Sequence, residues 1–393
     1  MANQLAAAGD DRRPAKSSLR AGPTGWIESI YARLLAAADI RINGGRAWDM
    51  HVHDRRLWRR LAGGGTRALG EAYVEGWWDS HVLDEFFRRL IAARIDRRIL
   101  NLPKRAYAAL AALGNLQSLQ RAHRVGVAHY DLDNELYAAM LGPRMVYTCA
   151  YWRDAPDLER AQEAKLDLVC RKLQLERGMH VLDIGCGWGG FARYAAERYG
   201  VRVTGVTVSV EQADVAREMC RDWPVTIAAC DYRAVRGRFD RIVSLGMIEH
   251  VGRKNYPTYM RQAASLLDAD GLFVLQTIGL NDDASGMDPW VTRYIFPNSE
   301  IPALWRLSAA ATPHLRVEDL HNFASDYDRT LMAWHANFNL AWPRLAARFD
   351  ARFKRMWNYY LLMFAGIFRA RGLDLWQLVL APRTRMARYE RPA

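Results

Sequence analysis

Cysteine is scarce in this chain: five in 393 residues, at Cys149, Cys170, Cys186, Cys220 and Cys230, with no Cys-x-x-Cys pair among them. That spacing argues against a zinc cluster or a disulfide framework and for a reducing compartment, and no metal site is expected. Long apolar runs are lacking too. The best, Tyr359 to Phe368, falls far short of the roughly 20 residues a spanning helix needs, so membrane contact, if it occurs, is expected to be peripheral. The opening Met1-Ala2-Asn3-Gln4 reaches Asp10 and Asp11 before an apolar stretch of signal-peptide length, and the protein is expected to be cytoplasmic. No internal repeat is visible. Acidic residues are outnumbered, 43 Asp and Glu against 55 Lys and Arg. The resulting +12 points to an anionic partner, either a nucleic acid or an acidic membrane surface, and charge alone does not choose between them.

Half of the residues are apolar, enough for a sizeable core, and the length suggests two or three domains of about 100–200 residues each. Residues 1–20 are polar, with Arg12, Arg13, Pro14, Lys16, Ser17 and Ser18, and read as a flexible tail. From Gly25 to about Leu119 the pattern is mostly helical, broken by glycine turns at Gly44-Gly45 and Gly63-Gly64-Gly65, with aromatics at Tyr73, Trp77 and Trp78. This predicts a small, mainly helical N-terminal accessory domain over 21–120, ahead of a second domain over 121–393.

In the second domain short aliphatic runs at 180–184, 201–208, 225–229, 239–245 and 271–278 alternate with helix-length amphipathic segments. Such alternation is the mark of βαβ units, so the fold class is α/β, with a parallel sheet covered on both faces. Residues 343–371 read as one long helix with the stripe Leu345, Phe349, Met356, Tyr360, Phe364 and Ile367, expected to pack on the sheet. The run 373–380 reads as a returning edge strand.

Val181-Leu182-Asp183-Ile184-Gly185-Cys186-Gly187-Trp188-Gly189-Gly190 is a strand, a glycine turn and a helix start. Glycines let backbone approach a ligand at the carboxyl end of a strand. A dinucleotide site or a purely structural turn would use similar residues. Here Asp183 precedes Gly185, Gly187 and Gly189; an acid there suits a cationic amino-acid ligand and would repel a pyrophosphate. The order resembles the first motif of class I S-adenosylmethionine-dependent methyltransferases, which implies a Rossmann-like domain and S-adenosyl-L-methionine as cofactor. Such enzymes usually hold the ribose with an acid after the second strand. This chain instead has Gly205-Val206-Thr207-Val208-Ser209 and then Glu211-Gln212. Thr207 and Gln212 are able to bond ribose hydroxyls, while Ser209 would serve equally as a helix cap. Asp231 and Tyr232, just past the third strand, complete the assigned cofactor set.

Several stretches together resemble the cyclopropane fatty-acid synthases and the related mycolic-acid methyltransferases. They are Tyr130-Asp131-Leu132 with Asn134, Tyr147-Thr148-Cys149-Ala150-Tyr151-Trp152, the glycine motif, Gly205 to Gln212, and Gly246-Met247-Ile248-Glu249-His250-Val251-Gly252. Further along come Asp288-Pro289-Trp290 through Pro297, His321-Asn322-Phe323 through Asp328, Phe353-Lys354-Arg355-Met356 and Phe368-Arg369-Ala370-Arg371. Near the front, Gly70-Glu71-Ala72-Tyr73 and Gly76-Trp77-Trp78 resemble the extra domain of the phospholipid-modifying branch.

The resemblance implies transfer of a methyl(ene) group from S-adenosylmethionine to the cis double bond of an unsaturated phospholipid acyl chain at the inner membrane surface, forming a cyclopropane. It also implies a bound bicarbonate ion as base, held by Cys149, Glu249, a histidine, the backbone at Ile278, and Tyr327, with Tyr147 and Thr148 touching the cofactor's amino-acid end. This chain has Gln276 where the family has that histidine. Glutamine still hydrogen-bonds an oxyanion but carries no charge. The departure opens two alternatives: a lipid C-methyltransferase giving a methyl- or methylene-branched chain, and a membrane-associated binding protein without turnover.

Each candidate has a plainer reading. Glu249 could pair with Arg253, Cys149 could be a small buried apolar residue, and His250 reads as a structural hydrogen-bonder. Trp290, Tyr294 and Phe296 would fill a core singly or line an acyl channel as a group. Arg344, Arg348, Arg352 and Arg355 share a helical spacing that fits a solvated face or contact with lipid phosphate, as do Arg94, Arg97 and Arg98 and the pair Lys104-Arg105. A nucleic-acid methyltransferase is disfavoured, because Gly246 to Glu249 replaces the amide-binding Asn/Asp-Pro-Pro-aromatic loop and no Pro-Cys nucleophile occurs. No nucleic-acid partner is expected, and a homodimer is admitted.

Overall fold

The computed structural model describes residues 25–95, 134–281 and 287–392. The tail at 1–20, the boundary near 120, Arg97-Arg98, Lys104-Arg105 and Tyr130-Asp131-Leu132 lie outside the described residues.

Helices α1 (Gly25–Ala37), α2 (Arg56–Val74) and α3 (Leu83–Ala92) dominate the front of the chain, with β1 (His51–Val52) paired antiparallel to β2 (Trp78–Asp79). In α3 the acids Asp84 and Glu85 sit in the first turn, where the helix dipole favours them, and Leu83, Phe86, Phe87 and Leu90 are buried at helical spacing. The glycine run expected as a turn is instead a kink inside α2, where Gly65 takes φ +54° and ψ −136°.

Next come α4 (Asn134–Leu141) and α5 (Leu158–Lys172), the latter capped by Asp157, whose carboxylate accepts from the backbone N–H of Arg160 at 2.9 Å. A seven-stranded sheet follows: β3 (His180–Ile184), β4 (Arg202–Thr207), β5 (Val225–Ala229), β6 (Phe239–Leu245), β7 (Leu267–Gly279), β8 (Leu315–Asn322) and β9 (Asp374–Pro382), in the order β5-β4-β3-β6-β7-β9-β8. Crossover helices α6 (Gly190–Tyr199), α7 (Val210–Cys220) and α8 (Tyr256–Leu266) link the parallel strands, with α9 (Pro289–Tyr294) and α10 (Leu304–Ala311) after β7. All five expected strands are present, three of them with the expected bounds.

Alternation along β7 explains why both faces are dry. Leu272 and Val274 join Val181, Val203 and Val243 under α5 and α6, whereas Phe273 and Leu275 join Leu182 and Ile242 under α8 and α10.

Three expectations fail at the C-terminal end. The helix expected over 343–371 is two helices, α11 (Ser325–Leu345) and α12 (Ala351–Arg369), because Asp350 starts a new one by accepting from the N–H of Phe353 at 2.8 Å. Nor does α12 pack mainly on the sheet. Its aromatic face meets α3 and α2, with Tyr359 lying 5.2 Å from both Tyr73 and Phe87. The strand expected at the edge, β9, runs antiparallel between β7 and β8. The true edge is β8, whose charged sequence from Leu315 to Asn322 hid it from an apolar-run reading and suits an edge.

The front segment shares one apolar cluster with α4, α9, α11 and α12. Polar contacts cross the same seam. Arg355 donates to the carbonyls of Tyr73 (2.7 Å) and Trp78 (3.2 Å) and to Asp79 (2.7 Å), and Arg369 bridges Asp84 (2.6 Å) and Asp328 (2.8 Å). The arginine row therefore is not one face. Arg344 and Arg348 pair with Glu135 and Arg352 with Glu75, while Arg355 is drawn into the seam. Among the described residues no helix is long and apolar enough to cross a membrane.

Candidate active site

A cleft of about 1260 Å³, its open mouth included, lies at the carboxyl ends of β3, β4 and β6. Its wall begins with the glycine turn. Gly185 has φ +85°, and a Cβ there would come within 2.7 Å of Met247, so only glycine fits between the strand end and that side chain. Tyr147, Thr148, Asp183, Gly185, Gly187, Thr207, Gln212, Asp231 and Tyr232 all line the cleft. Gly189 does not. It is the left-handed residue that starts α6, with its α-carbon facing Cys220 on α7.

Thr207 and Gln212 meet directly, the Thr207 hydroxyl donating to Oε1 of Gln212 at 2.9 Å, and Ser209 caps α7 by accepting from the Gln212 N–H at 3.1 Å. The hydrogen-bonding and capping readings of this turn thus coexist. Asp231 takes two hydrogen bonds from the Arg233 guanidinium at 2.7 Å. The buried Tyr232 hydroxyl has no hydrogen-bond partner among the described residues.

Asp183 is buried and its Oδ2 has no hydrogen-bond partner among the described residues. Burial pushes its carboxyl up to about 7, with Lys165 pulling the other way. Lys165, on α5, also lines the cleft with no exposed surface, and its Nζ donates to the Thr148 hydroxyl at 2.8 Å. Desolvation pulls that ammonium down to about 8. Sequence reasoning missed Lys165. The signal was there in its phase, since it falls on the buried stripe of α5 with Ala161, Leu168 and Val169.

Glu249 lies on the short turn after β6. Its Oε1 accepts from the backbone N–H of Ile278 at 2.8 Å, and Oε2 is buried without a hydrogen-bond partner among the described residues. Burial raises this carboxyl to about 7. Arg253 is not its partner; that guanidinium pairs with Glu300 at 3.2 Å. His250 lines the cleft as a neutral imidazole, pulled down to about 4 by burial.

Cys149 is fully buried, with Sγ 3.8 Å from the Thr330 hydroxyl, and burial pushes its thiol well up, so it is protonated. Thr330 was not anticipated. It also accepts from the Ala150 N–H and from the Trp152 indole, and so locks the 149–152 segment against α11. Tyr327, one turn earlier on α11, stacks on Phe368 at 4.5 Å. Cys149, Ile278 and Tyr327 all fall in the apolar cluster that contains Tyr147. Ring contacts run His250 to Phe296 (6.1 Å), Phe296 to Tyr147 (6.4 Å), Tyr147 to Trp334 (5.3 Å) and Trp334 to Tyr327 (6.1 Å).

Gln276 is buried and tied sideways, its Oε1 accepting from Nε2 of Gln377 at 2.8 Å. None of Cys149, Glu249, Gln276, Ile278 and Tyr327 is among the residues lining the cofactor cleft.

Of the three aromatics read either as core fillers or as a channel-lining group, Trp290 and Tyr294 stay in ring contact at 5.6 Å while Phe296 turns elsewhere. Trp290 is buried against Gly70 and Tyr359, the Tyr294 hydroxyl donates to Glu71, and only Phe296 reaches Tyr147, His250 and Tyr360. Among the described residues no group of three or more His, Cys, Asp or Glu is placed to hold a metal ion.

Comparison with known proteins agrees with this geometry. Residues 117–378 match the family model described as mycolic acid cyclopropane synthetase. The cyclopropane-fatty-acyl-phospholipid synthase of Escherichia coli strain K12 is 48% identical over 353 residues, covering 90% of this chain and 92% of that protein. Among solved structures, the cyclopropane synthase MmaA2 from Mycobacterium tuberculosis superposes with a TM-score of 0.63 at 28% identity, covering 68% of this chain and 100% of that one. The mycolic acid cyclopropane synthase CmaA1, complexed with SAH and CTAB, gives a TM-score of 0.62 at 30% identity over 66% of this chain and 97% of that one.

Proposed function

The chain belongs to the mycolic acid cyclopropane synthetase family, and on that premise we propose that it transfers a methylene unit from S-adenosylmethionine to the cis double bond of an unsaturated phospholipid acyl chain, closing a cyclopropane ring. The observation that carries this reading is Tyr147, which lines a glycine-walled cleft holding Asp183 and Lys165 and at the same time belongs to a dry aromatic cluster. A charged methyl donor and an apolar acceptor call for that juxtaposition.

The residues fit S-adenosylmethionine. The unpartnered Asp183 carboxyl suits an ammonium group, the Thr207 and Gln212 pair offers donors and acceptors for ribose hydroxyls, and Gly185 lets the backbone come close. When bound, the cofactor supplies an electrophilic sulfonium methyl. Tyr147, Phe296 and Trp334 keep water out of the neighbourhood and present aromatic faces that stabilise positive charge on the acyl chain. Glu249, raised to about 7, holds or gives up a proton at neutral pH, and its free Oε2 is the atom that would do so.

A small oxyanion such as bicarbonate is part of the proposal, and the donor chemistry suits it. The Cys149 thiol is protonated, Tyr327 has its hydroxyl, and Gln276 has an amide; the Ile278 N–H is already engaged by Glu249. Cys149, Glu249, Gln276 and Tyr327 would hold such an ion. Residues 21–120 are proposed as a lipid-associated accessory domain and 121–393 as the catalytic domain, working in the cytoplasm against the inner membrane; the +12 charge supports attraction to anionic lipid.

The test is incubation with labelled S-adenosylmethionine and vesicles of monounsaturated phospholipid, followed by mass spectrometry of the acyl chains. A cyclopropane product is expected. Methyl- or methylene-branched chains would instead establish the second reading, which rests on Gln276 replacing the family histidine.

A further inference from the structure

We propose that Lys165 is the residue that binds the carboxylate of the cofactor's amino-acid end, so that Lys165 and Asp183 form a matched pair for a zwitterion. The inference rests on the reading above that the cleft takes S-adenosylmethionine.

A lysine with no exposed surface is costly unless something answers its charge. The Nζ of Lys165 donates to the Thr148 hydroxyl, a neutral group, and among the described residues it forms no ion pair within 4.0 Å. On the same cleft Asp183 has the opposite deficiency, a buried carboxylate oxygen with no donor among the described residues. The two line one cleft without pairing with each other, so the space between them is flanked by one cation and one anion. An α-amino acid carries the complementary charges: its ammonium answers Asp183 and its carboxylate answers Lys165.

Local structure supports the direction. Thr148 lines the cleft beside Lys165, and the hydrogen bond between them holds the long side chain at the wall. The helix that carries Lys165 is anchored by Leu166 and Val169 against the sheet, so the ammonium is held by rigid scaffold and not by a loop. A nucleoside without the amino-acid end would leave both charges unanswered, which makes the pair a means of selecting the whole cofactor over its breakdown products.

Binding of three nucleosides by calorimetry tests this on the intact chain: S-adenosylhomocysteine, its decarboxylated analogue, and methylthioadenosine. The wild type is expected to bind S-adenosylhomocysteine roughly 10- to 100-fold tighter than the decarboxylated analogue, the worth of a charge-assisted hydrogen bond. Lys165→Met and Lys165→Gln are expected to erase that preference while leaving methylthioadenosine within about twofold of wild type. Equal binding of the first two ligands by wild type, or an equal loss for all three in the variants, would overturn the proposal and leave Lys165 a structural residue. Failure of the wild type to bind any of the three would overturn the cofactor reading itself.

Discussion

Gln377 donates its amide hydrogen to Oε1 of Gln276 at 2.8 Å, across positions that face each other in the β7–β9 ladder. The direction of that bond is set from further out. Nζ of Lys172 donates to Oε1 of Gln377 at 2.8 Å and lies 3.2 Å from Nδ1 of His321. While Lys172 carries its proton it has no acceptor, so Gln377 turns its oxygen to Lys172 and its NH2 to Gln276, and Gln276 in turn keeps its own NH2 for donation. Gln276 is thus oriented as a donor, which is the role an anion ligand needs.

Lys172 should reveal itself in the pH dependence of stability. Burial pulls its ammonium down to about 7, below the unfolded value of about 10.5. The unfolded chain therefore binds more protons between those values, and folding gains stability as pH rises through that window. Denaturant unfolding at about pH 7 and about pH 9 is expected to show a gain on the order of 2 kcal/mol in wild type that is absent in Lys172→Met.

For Glu249 the sign reverses. Its carboxyl is raised to about 7 from an ordinary value near 4.5, so the folded chain holds the extra proton and stability falls as pH climbs through that interval. Glu249→Gln keeps an oxygen for the Ile278 N–H and removes the charge. It is expected to be more stable than wild type by about 3 kcal/mol at pH above about 7, no different below about pH 4, and slower in methyl transfer by about 10²-fold or more. A variant as active as wild type would remove Glu249 from the chemistry.

Gly70 tests the seam between the front helices and α9. A Cβ there would sit 2.5 Å from Cδ1 of Trp290, a buried ring held by Tyr359. Gly70→Ala is expected to cost roughly 1–3 kcal/mol in urea unfolding. Gly63→Ala, in the same helix with nothing within 4 Å of the added atom, is expected to be neutral or stabilising by about 0.5–1 kcal/mol.

Arg369 joins α3 to α11 through Asp84 and Asp328. Arg369→Met strands two carboxylates, one of them nearly buried, and is expected to lower stability by about 1–3 kcal/mol at neutral pH after allowance for the arginine's partial exposure. In an Asp84→Asn, Asp328→Asn background the same substitution is expected to cost less. An equal cost in both backgrounds would show that lost packing, not charge, is responsible.

Local chemistry settled much of this protein in advance. The runs 180–184, 225–229 and 239–245 are strands because each is short and apolar, with polar or turn residues at its ends, and the turn at Gly185 follows from a positive φ that glycine adopts without strain. Asp183, Thr207 and Gln212 were singled out by residue type at a strand end, and all three line the cleft. What sequence alone left undecided were features defined by partners distant along the chain. Lys165 and Lys172 share the buried phase of α5, but what they face is fixed only when α5 is laid on the sheet; β8 gains its ladder only from β9; and the place of Trp290 against Gly70 is set only when the front helices dock. Periodicity and turn propensity act over a few residues and are written in order along the chain. Burial and charge complementarity act between surfaces that meet only once the chain has folded, so Lys165, Thr148 and Asp183 became a site only in three dimensions.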